Sequence, residues 1–387
     1  MKKMIRFLLI FFILSISLTQ FTFASEVTNN SDSLEHSNNV QQLYDYITKM
    51  KDDNELVNEL NISDYIKNYV SKGDGGVSTS DLAKITFSVI LKESKTVLKL
   101  LISVVVMAII CSLLKNLQDA FGGSHSDIAF YACYAILIIL LSKSFLVSID
   151  LAKNTINGLT DFMMALLPVL VFLIGSVGGI TQAATMDPIL MGAVTIVPRI
   201  YVDFIIPMIL MSFVLNFVNN ISNEHKINNI CKLFKQVTLW VQGILVTTLI
   251  GLLTIRGITS NAIDAVTLKT AKFAVDNFIP IVGKAFSDAI ASVAGYAVLL
   301  KNSISSLGLL IVFLTILIPI LKLVLISFMY KLSSALVEPV CDSRITNCIA
   351  AAGDYVVMII SCILSISLMF FIMVSVMAST GKFILGG

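Results

Sequence analysis

Long apolar segments occupy most of this chain and are separated by short polar stretches. Seven of them approach or exceed the roughly 20 residues that a helix needs to cross about 30 Å of hydrocarbon. Peptide groups that face lipid must pair within their own segment, which an α-helix achieves. The pattern therefore predicts an all-α polytopic membrane protein with about seven transmembrane helices, at residues 97–114, 128–148, 159–180, 189–218, 237–255, 304–329 and 355–379.

A shorter apolar run lies at the start of the chain. Three basic residues precede the run at 7–18, and a small-x-small exit follows it and ends at Ala24. This arrangement is typical of a secretory signal peptide, here residues 1–24. The alternative is an uncleaved signal anchor, and either one would place the polar region that follows outside the cytoplasm.

Residues 25–95 are polar and carry 12 of the 25 acidic residues. Apolar residues recur at intervals of three and four between 40 and 70, which predicts one or two short amphipathic helices. Another helix is predicted to start near Asp81 and to continue into the first span. We therefore expect an extracytoplasmic helical region at 25–95 and a polytopic transmembrane domain at 96–387.

Residues 257–301 are helix-forming but too charged for a span that faces lipid. Small residues in this segment suit close packing against other membrane helices. The segment predicts interfacial helices with a re-entrant dip around Pro280. From an external N-terminus, seven crossings place this segment and the C-terminus in the cytoplasm, where its four lysines and the adjoining arginine fit the positive-inside tendency, although three lysines on the opposite side do not. The basic residues are Arg256, Lys269, Lys272, Lys284 and Lys301.

The chain also resembles itself at an offset of 112 residues. This offset aligns Pro168 with Pro280 and Pro207 with Pro319 without a gap. An apolar helix, a polar amphipathic stretch and another span follow in both halves. The pattern indicates two related halves at about 161–256 and 273–378, as in transporters built from duplicated units. Chance matching of apolar sequence is the alternative.

Ionisable residues at membrane depth are the candidate functional residues, because such groups are costly in lipid and often mark a pathway or a partner. Arg199 and Asp203 stand one helical turn apart between Pro198 and Pro207. They form either a polar, water-lined stretch on a broken helix or a self-neutralising pair at the headgroup level. Lys322 follows Pro319 and either joins this pathway or reaches the interface.

Prolines inside apolar segments are the second group of candidates. Each removes a helical hydrogen bond, so a freed carbonyl needs water or another donor. They indicate either discontinuous helices around a cavity or ordinary kinks in a packed bundle, and they are Pro168, Pro198, Pro207, Pro280 and Pro319.

Composition excludes several classes of function. The chain is 56% hydrophobic and 13% charged, with a net charge of +2, so it lacks the basic face of a nucleic-acid-binding protein. It has no HExxH, no Gly-x-Ser-x-Gly and no phosphate-binding glycine loop. The six cysteines lack the spacing of metal ligands. We therefore expect no enzyme activity, no metal and no cofactor.

Two strings in the second half of the chain carry a resemblance to a known family. They are TSNAIDAVTLKTAKFAVDNFIPIVGKAFSDAIASVAGYAVLLKNSISSLGLL at 259–310 and IPILKLVLISFMYKLSSALVEPVCD at 318–342. Both resemble the most distinctive part of the stage III sporulation protein AE family, and the order of leader, polar region and spans is also similar. These strings are not catalytic signatures, so no residue-level role is carried over.

The resemblance implies an integral membrane component of the secretion-like channel that links mother cell and forespore, in the mother-cell membrane around the forespore. Its expected partners, besides membrane lipid, are further copies of itself, ring-forming single-span proteins, small multi-span proteins and a cytoplasmic ATPase. We expect residues 25–95 to dock extracytoplasmic partners. The alternatives are a secondary transporter with a site between the halves near Arg199, Asp203 and Pro280, and a membrane scaffold without a pore.

Overall fold

The computed structural model describes residues 38–53, 55–58, 62–72, 79–121, 126–177, 179–221, 227–278 and 283–379. In these ranges all regular structure is helical. The elements are α1 (Asn38–Asp53), α2 (Glu55–Asn58), α3 (Ile62–Lys72), α4 (Thr79–Phe121), α5 (Ser126–Ser176), α6 (Ile180–Ile200), a π-helical turn (Tyr201–Ile205), α7 (Ile206–Ile221), α8 (Asn228–Phe278), α9 (Gly283–Val337) and α10 (Ser343–Ser379).

Six helical stretches in the described ranges are long and apolar enough to cross a membrane. This confirms the predicted all-α polytopic membrane fold. One of the six runs without interruption from α6 through the π-helical turn into α7. The candidate spans are Thr86–Leu117, Tyr131–Ser176, Pro188–Asn220, Asn228–Ile255, Gly295–Val337 and Ser343–Ser379.

Two of the seven predicted spans belong to one helix, so the described part of the chain does not confirm the predicted number. Residues 128–148 and 159–180 were expected to cross separately, but the first and nearly all of the second lie in α5. Polar residues between the two predicted spans lower the hydropathy there. On another face of the same helix, a stripe of buried apolar residues continues at helical spacing through this segment. Because this stripe packs against the core on both sides of the polar segment, the helix has no reason to turn there. Its members are Phe145, Ile149, Ala152, Ile156 and Leu159.

The long helices exceed the thickness of a bilayer. At 1.5 Å per residue, the 51 residues of α5 and of α8 and the 55 residues of α9 each extend for about 75–85 Å, more than twice the roughly 30 Å of hydrocarbon. Parts of these helices therefore lie beyond the hydrocarbon core of the membrane.

The predicted interfacial helices at 257–301 are, where described, continuations of long helices. Residues 257–278 extend α8 and residues 283–301 begin α9. Hydropathy marked these parts as separate elements because they are more polar than the spans that they extend. The predicted re-entrant dip at Pro280 lies outside the described residues.

The central helix of the bundle is α10. In its most apolar part 72% of the residues are buried, against 22–39% in the other five candidate spans. It pairs most extensively with α9, to which it connects through a short loop. Gly353 allows the two helices to approach closely, since its carbonyl accepts a hydrogen bond from Ser327 Oγ at 3.0 Å. Small residues at such seams are what helix packing in membranes requires.

Contacts between helices define the two ends of the bundle. At one end, Lys115 near the end of α4 forms an ion pair with Asp342 in the α9–α10 loop. At the same end, Tyr134 near the start of α5 donates a hydrogen bond to the carbonyl of Phe217 near the end of α7, at 3.4 Å. We call this the Asp342 end.

The opposite end holds the first part of α9 and the last turn of α10. Lys301 Nζ donates a hydrogen bond to the carbonyl of Ala378 at 3.0 Å, and we call this the Lys301 end. The short helices α1–α3 pack at the same end, where the hydroxyls of Tyr65 and Ser306 are 2.9 Å apart. Apolar residues of α1–α3, including Leu43, belong to the same hydrophobic core as the spans.

The predicted duplication agrees with part of the helix order. An offset of 112 moves residues 180–221 onto 292–333, which lie within α9, and moves the start of α8 to residue 340, three residues before α10 begins. The first helix of each proposed half does not correspond, because Pro168 lies inside α5 whereas its counterpart Pro280 lies between α8 and α9. The two-half organisation therefore stays a prediction.

Candidate functional site

A row of exposed polar side chains runs along the middle of α5. Asp150, Asn154, Asn157 and Asp161 follow one another at intervals of four, three and four residues, which places them on one face of the helix. The buried stripe of α5 lies on another face. The row lies in the middle of the candidate span Tyr131–Ser176, whose 46 residues are about twice as many as one crossing needs.

The charged residues of α6 and the π-helical turn face the same region. Arg199 and Asp203, both exposed, border a cavity of about 370 Å³ together with residues of α5. This pair was a candidate from the sequence, and the structure adds Asp161 and Asn157 to it. The full lining is Asn157, Thr160, Asp161, Met164, Thr195, Pro198, Arg199, Val202 and Asp203.

The π-helical turn lies between two prolines and shapes this cavity. The N–H of Ile206 donates to the carbonyl of Tyr201, five residues earlier, instead of the usual four. Pro207 follows immediately, and in a regular helix its ring would clash with the carbonyl of Asp203. The wider turn relieves this clash, and such turns occur frequently at functional sites. The sequence had allowed a broken helix at this point. The structure shows a continuous helix that is widened just before Pro207.

Two of the prolines remove hydrogen bonds at the cavity itself. A proline cannot donate to the carbonyl four residues earlier, so Pro168 leaves Met164, and Pro207 leaves Asp203, without that helical bond. Met164 and Asp203 both line the cavity. Pro198 also lines it, whereas Pro319 lies inside α9 and Pro280 is outside the described residues. A polar, hydrated cavity would supply the missing donors.

The charges at the cavity are not neutralised by direct pairing. Within the described part of the chain, no ion pair of 4.0 Å or less joins Arg199 to Asp161 or Asp203. A charged side chain at the centre of a bilayer costs at least about 2.5–3.5 kcal/mol. At such a depth Asp161, Asp203 and Arg199 would together cost about 8–10 kcal/mol, which is comparable to the whole stability of many proteins. This face therefore requires water or protein beside it.

Lys322 has a partner within the bundle. Its ammonium lies 3.0 Å from Glu93 Oε1 and joins α9 to α4, with both side chains partly exposed. The sequence had offered the interface or the pathway for Lys322. The structure instead gives it a carboxylate on a neighbouring span, and it does not line the cavity described above.

A second polar cluster, which the sequence analysis missed, lies inside the bundle. Gln242 Nε2 donates a hydrogen bond to Cys362 Sγ at 3.1 Å, and Ser361 Oγ donates to Gln242 Oε1 at 3.0 Å. Gln242 is buried at the centre of its candidate span and joins α8 to α10. The available signal was a glutamine within an apolar run, WVQGIL.

Lys301 differs most from its predicted place. It was predicted to be one of the basic residues of a cytoplasmic loop, but its side chain is fully buried near the start of the fifth candidate span, where its ammonium donates to the carbonyl of Ala378. Helix α9 extends through this position and packs it against α10. The charge of Lys301 therefore says nothing about which end faces the cytoplasm.

The α9–α10 loop is held by an ionic cluster centred on Asp342. Burial favours the neutral acid, but hydrogen bonds from the backbone N–H of Arg344 and from the side chains of Lys115 and Arg344 outweigh it. They hold the pKa of Asp342 well below its ordinary value. The carboxylate is therefore ionised at neutral pH and ties α4, the loop and α10 together.

Metal chemistry finds no support among the described residues, because they contain no group of three or more His, Cys, Asp or Glu side chains placed to hold a metal ion. The site can instead hold water, small ions or polar groups against its mixed charges. The arrangement is a polar surface within two of the candidate spans.

Comparisons with known proteins agree with the architecture. The family model described as Stage III sporulation protein AE matches residues 60–381, a range that includes all six candidate spans and the cavity. The chain is similar to the Stage III sporulation protein AE of Bacillus subtilis (strain 168), with 30% identity over 311 residues, which are 80% of this chain and 78% of that protein. No solved structure matches the chain. The chain therefore belongs to the stage III sporulation protein AE family.

Proposed function

We propose that this protein is an integral membrane component of the secretion-like channel complex that links mother cell and forespore and supports forespore development. Its place would be the mother-cell membrane around the forespore. The family and the multi-pass fold support this role. The observation that carries it is the row of exposed polar and charged groups at the centre of the spans beside the cavity, which suits a protein that forms part of a hydrophilic path.

The expected leader supports one orientation of the bundle. If residues 1–24 direct the next region out of the cytoplasm, α1–α3 and the Lys301 end are extracytoplasmic. The Asp342 end then faces the cytoplasm, and Lys115, Lys331 and Arg344 near that end fit the positive-inside tendency. With six crossings, the end of α10 lies on the same side of the membrane as α1–α3. With the seven crossings predicted from the sequence, it would lie on the opposite side.

This orientation assigns a side to each class of partner. The helices α1–α3 are placed to meet extracytoplasmic partners such as ring-forming single-span proteins. The Asp342 end is placed to meet a cytoplasmic ATPase. Small multi-span proteins and further copies of this chain would pack against the apolar sides of the spans, since such sides suit neighbouring membrane helices as well as lipid.

The test is complementation of a spore-forming strain that lacks its own copy of this protein. We expect the wild-type chain to restore heat-resistant spores, and Arg199→Ala, Asp203→Ala and the double variant to restore few. Ile244→Ala on α8 is the matched control, because its side chain is exposed and does not line the cavity. Normal spores from the empty strain would refute the proposed role, and normal spores from all three variants would refute a role for this pair.

A secondary transporter is the second candidate, favoured by a cavity that places Asp161, Arg199 and Asp203 around one space. Purified protein in liposomes separates the candidates. Conductance or dye leakage without a coupled gradient supports a channel, saturable uptake driven by a gradient supports a transporter, and silence in both supports a membrane scaffold without a pore.

A further inference from the structure

We propose that one face of the bundle borders water at the centre of the membrane and forms a wall of the hydrophilic path. This face, which we call the polar face, is formed by Asp150, Asn154, Asn157 and Asp161 of α5 with Arg199 and Asp203 of α6 and the π-helical turn. The inference rests on the proposed function, in which several proteins of the complex enclose such a path.

The geometry joins these residues into one surface. On α5 their spacing of four, three and four residues keeps them in a single line along the helix. Arg199 and Asp203, one turn apart, lie across the cavity from Asn157 and Asp161. The cavity of about 370 Å³ widens the surface where the carbonyls of Met164 and Asp203 lack their helical hydrogen bonds.

The depth of this surface distinguishes it from an ordinary polar helix end. Asp203 lies at the centre of Pro188–Asn220, so any crossing of about 20 residues within that span contains it, and Asn157 and Asp161 of α5 border the same cavity. Apolar residues continue along both helices on either side of the polar residues. Charged side chains at this depth almost always face water or the interior of a bundle, and these are exposed.

Another side of the same protein shows what a lipid-facing surface looks like here. Around Gln242, at the centre of Asn228–Ile255, the exposed side chains of α8 are apolar, and they include Leu239, Trp240 and Ile244. The bundle therefore presents an apolar surface suited to lipid on α8 and a polar surface suited to water on α5 and α6.

The signs of the charges indicate what the polar face admits. Three carboxylates are balanced in part by Arg199 and by the half-buried Lys153 on α5. A surface of mixed sign attracts neither cations nor anions strongly, in contrast to the rings of one sign that make ion channels selective. We expect it to admit small hydrophilic solutes of either charge.

The experiment measures the access of water-soluble reagents to single cysteines in membrane vesicles. Asn154→Cys and Asn157→Cys report the polar face, and Ile244→Cys, in the middle of the candidate span Asn228–Ile255, is the matched control on α8. The full chain is used, with the wild-type protein as background, since five of its six cysteines are buried and Cys341 is half-buried. The probes are a cationic and an anionic methanethiosulfonate, neither of which crosses lipid.

We expect both polar-face variants to react more than about tenfold faster than Ile244→Cys, because only a hydrated cysteine forms the reactive thiolate. Both reagents should react at similar rates. Rates equal to that of Ile244→Cys would overturn the inference, and reaction with reagents of one sign alone would overturn the mixed-charge part.

The two proposals fail in different ways. Labelling depends on the local environment of the polar face and is measured in vesicles without other sporulation proteins. The channel role fails if a strain without the protein forms normal spores, whatever the labelling. If that strain fails to form normal spores but Asn154→Cys and Asn157→Cys remain unlabelled, the inference about the polar face is rejected and the channel role is retained.

Discussion

Gln242 Nε2 donates a hydrogen bond to Cys362 Sγ at 3.1 Å and accepts one on Oε1 from Ser361 Oγ at 3.0 Å, at the centre of the candidate spans. The glutamine thereby uses both ends of its amide to join α8 to the central helix α10. Away from water, a buried amide without these partners would be costly.

We expect Gln242→Leu to reduce the free energy of unfolding by about 1 kcal/mol, because hydrogen bonds between membrane helices contribute about that much. The measurement is denaturant unfolding of the purified protein in mild detergent. Gln236→Leu on the same helix is the control, since Gln236 is exposed, and we expect a change within about 0.5 kcal/mol. Equal effects of the two substitutions would show that the hydrogen bonds do not stabilise the bundle.

Gly353 sets the distance between α9 and α10. A Cβ at this position would lie 3.1 Å from the backbone oxygen of Ser327 and 3.2 Å from Lys331 Cγ. We expect Gly353→Val to reduce the free energy of unfolding by about 1–3 kcal/mol, as overpacking does in protein cores.

Gly251→Ala on α8 is the matched control for this substitution, because nothing lies within 4 Å of a Cβ built there. We expect it to leave stability unchanged or to raise it by up to about 1 kcal/mol, since alanine is the better helix former. Thermal unfolding of both variants by circular dichroism is the measurement, and an unaffected Gly353→Val protein would contradict the close packing.

The ionic cluster at the α9–α10 loop predicts a dependence on acid. The pKa of Asp342 is lower in the folded protein than its ordinary value, so the ionised carboxylate stabilises the fold above that ordinary value, about pH 4. This contribution is lost as the pH falls below about 4 towards the folded pKa. We expect Asp342→Asn to lower stability by about 2 kcal/mol at pH 7, because hydrogen bonds to charged groups contribute that much.

The difference between the wild type and Asp342→Asn should shrink between about pH 4 and pH 2. Unfolding in detergent at several pH values measures it. Glu338→Gln in the same loop is the control, because Glu338 is exposed, and we expect no change from it. A difference that stays constant down to pH 2 would rule out the proposed ionic origin.

The number of crossings predicts which loops share a side of the membrane. Six crossings after α3 put the end of α3 and the end of α10 on one side and the α9–α10 loop on the other. We expect an impermeant thiol reagent to reach Ser71→Cys and Ser379→Cys from one side and Glu338→Cys from the opposite side. All three positions are exposed. Labelling of Ser71→Cys and Ser379→Cys from opposite sides would contradict six crossings and would indicate an odd number, such as the seven predicted from the sequence.

Part of the candidate site could be predicted from the sequence. Charged residues and prolines are rare in apolar spans, so Arg199, Asp203 and their flanking prolines stand out. They can be recognised without knowing which helix packs against them. Asp161 and Asn157 did not stand out, since they were placed near the end of one predicted span and in the loop before it. The structure brings them to Arg199 by making α5 a single helix.

The amino-acid sequence by itself determined that the chain is helical, that it crosses the membrane and which family it resembles. Hydropathy over some 20 residues and recognisable strings are properties of neighbouring positions, so they can be read without a fold. The tertiary structure alone decided that α5 continues through its polar middle, that Lys301 is buried, and that Gln242 meets Cys362, 120 residues away. These features depend on which helix faces pack together, because in a membrane the close fit of surfaces between helices, more than their hydrophobicity, selects the partners.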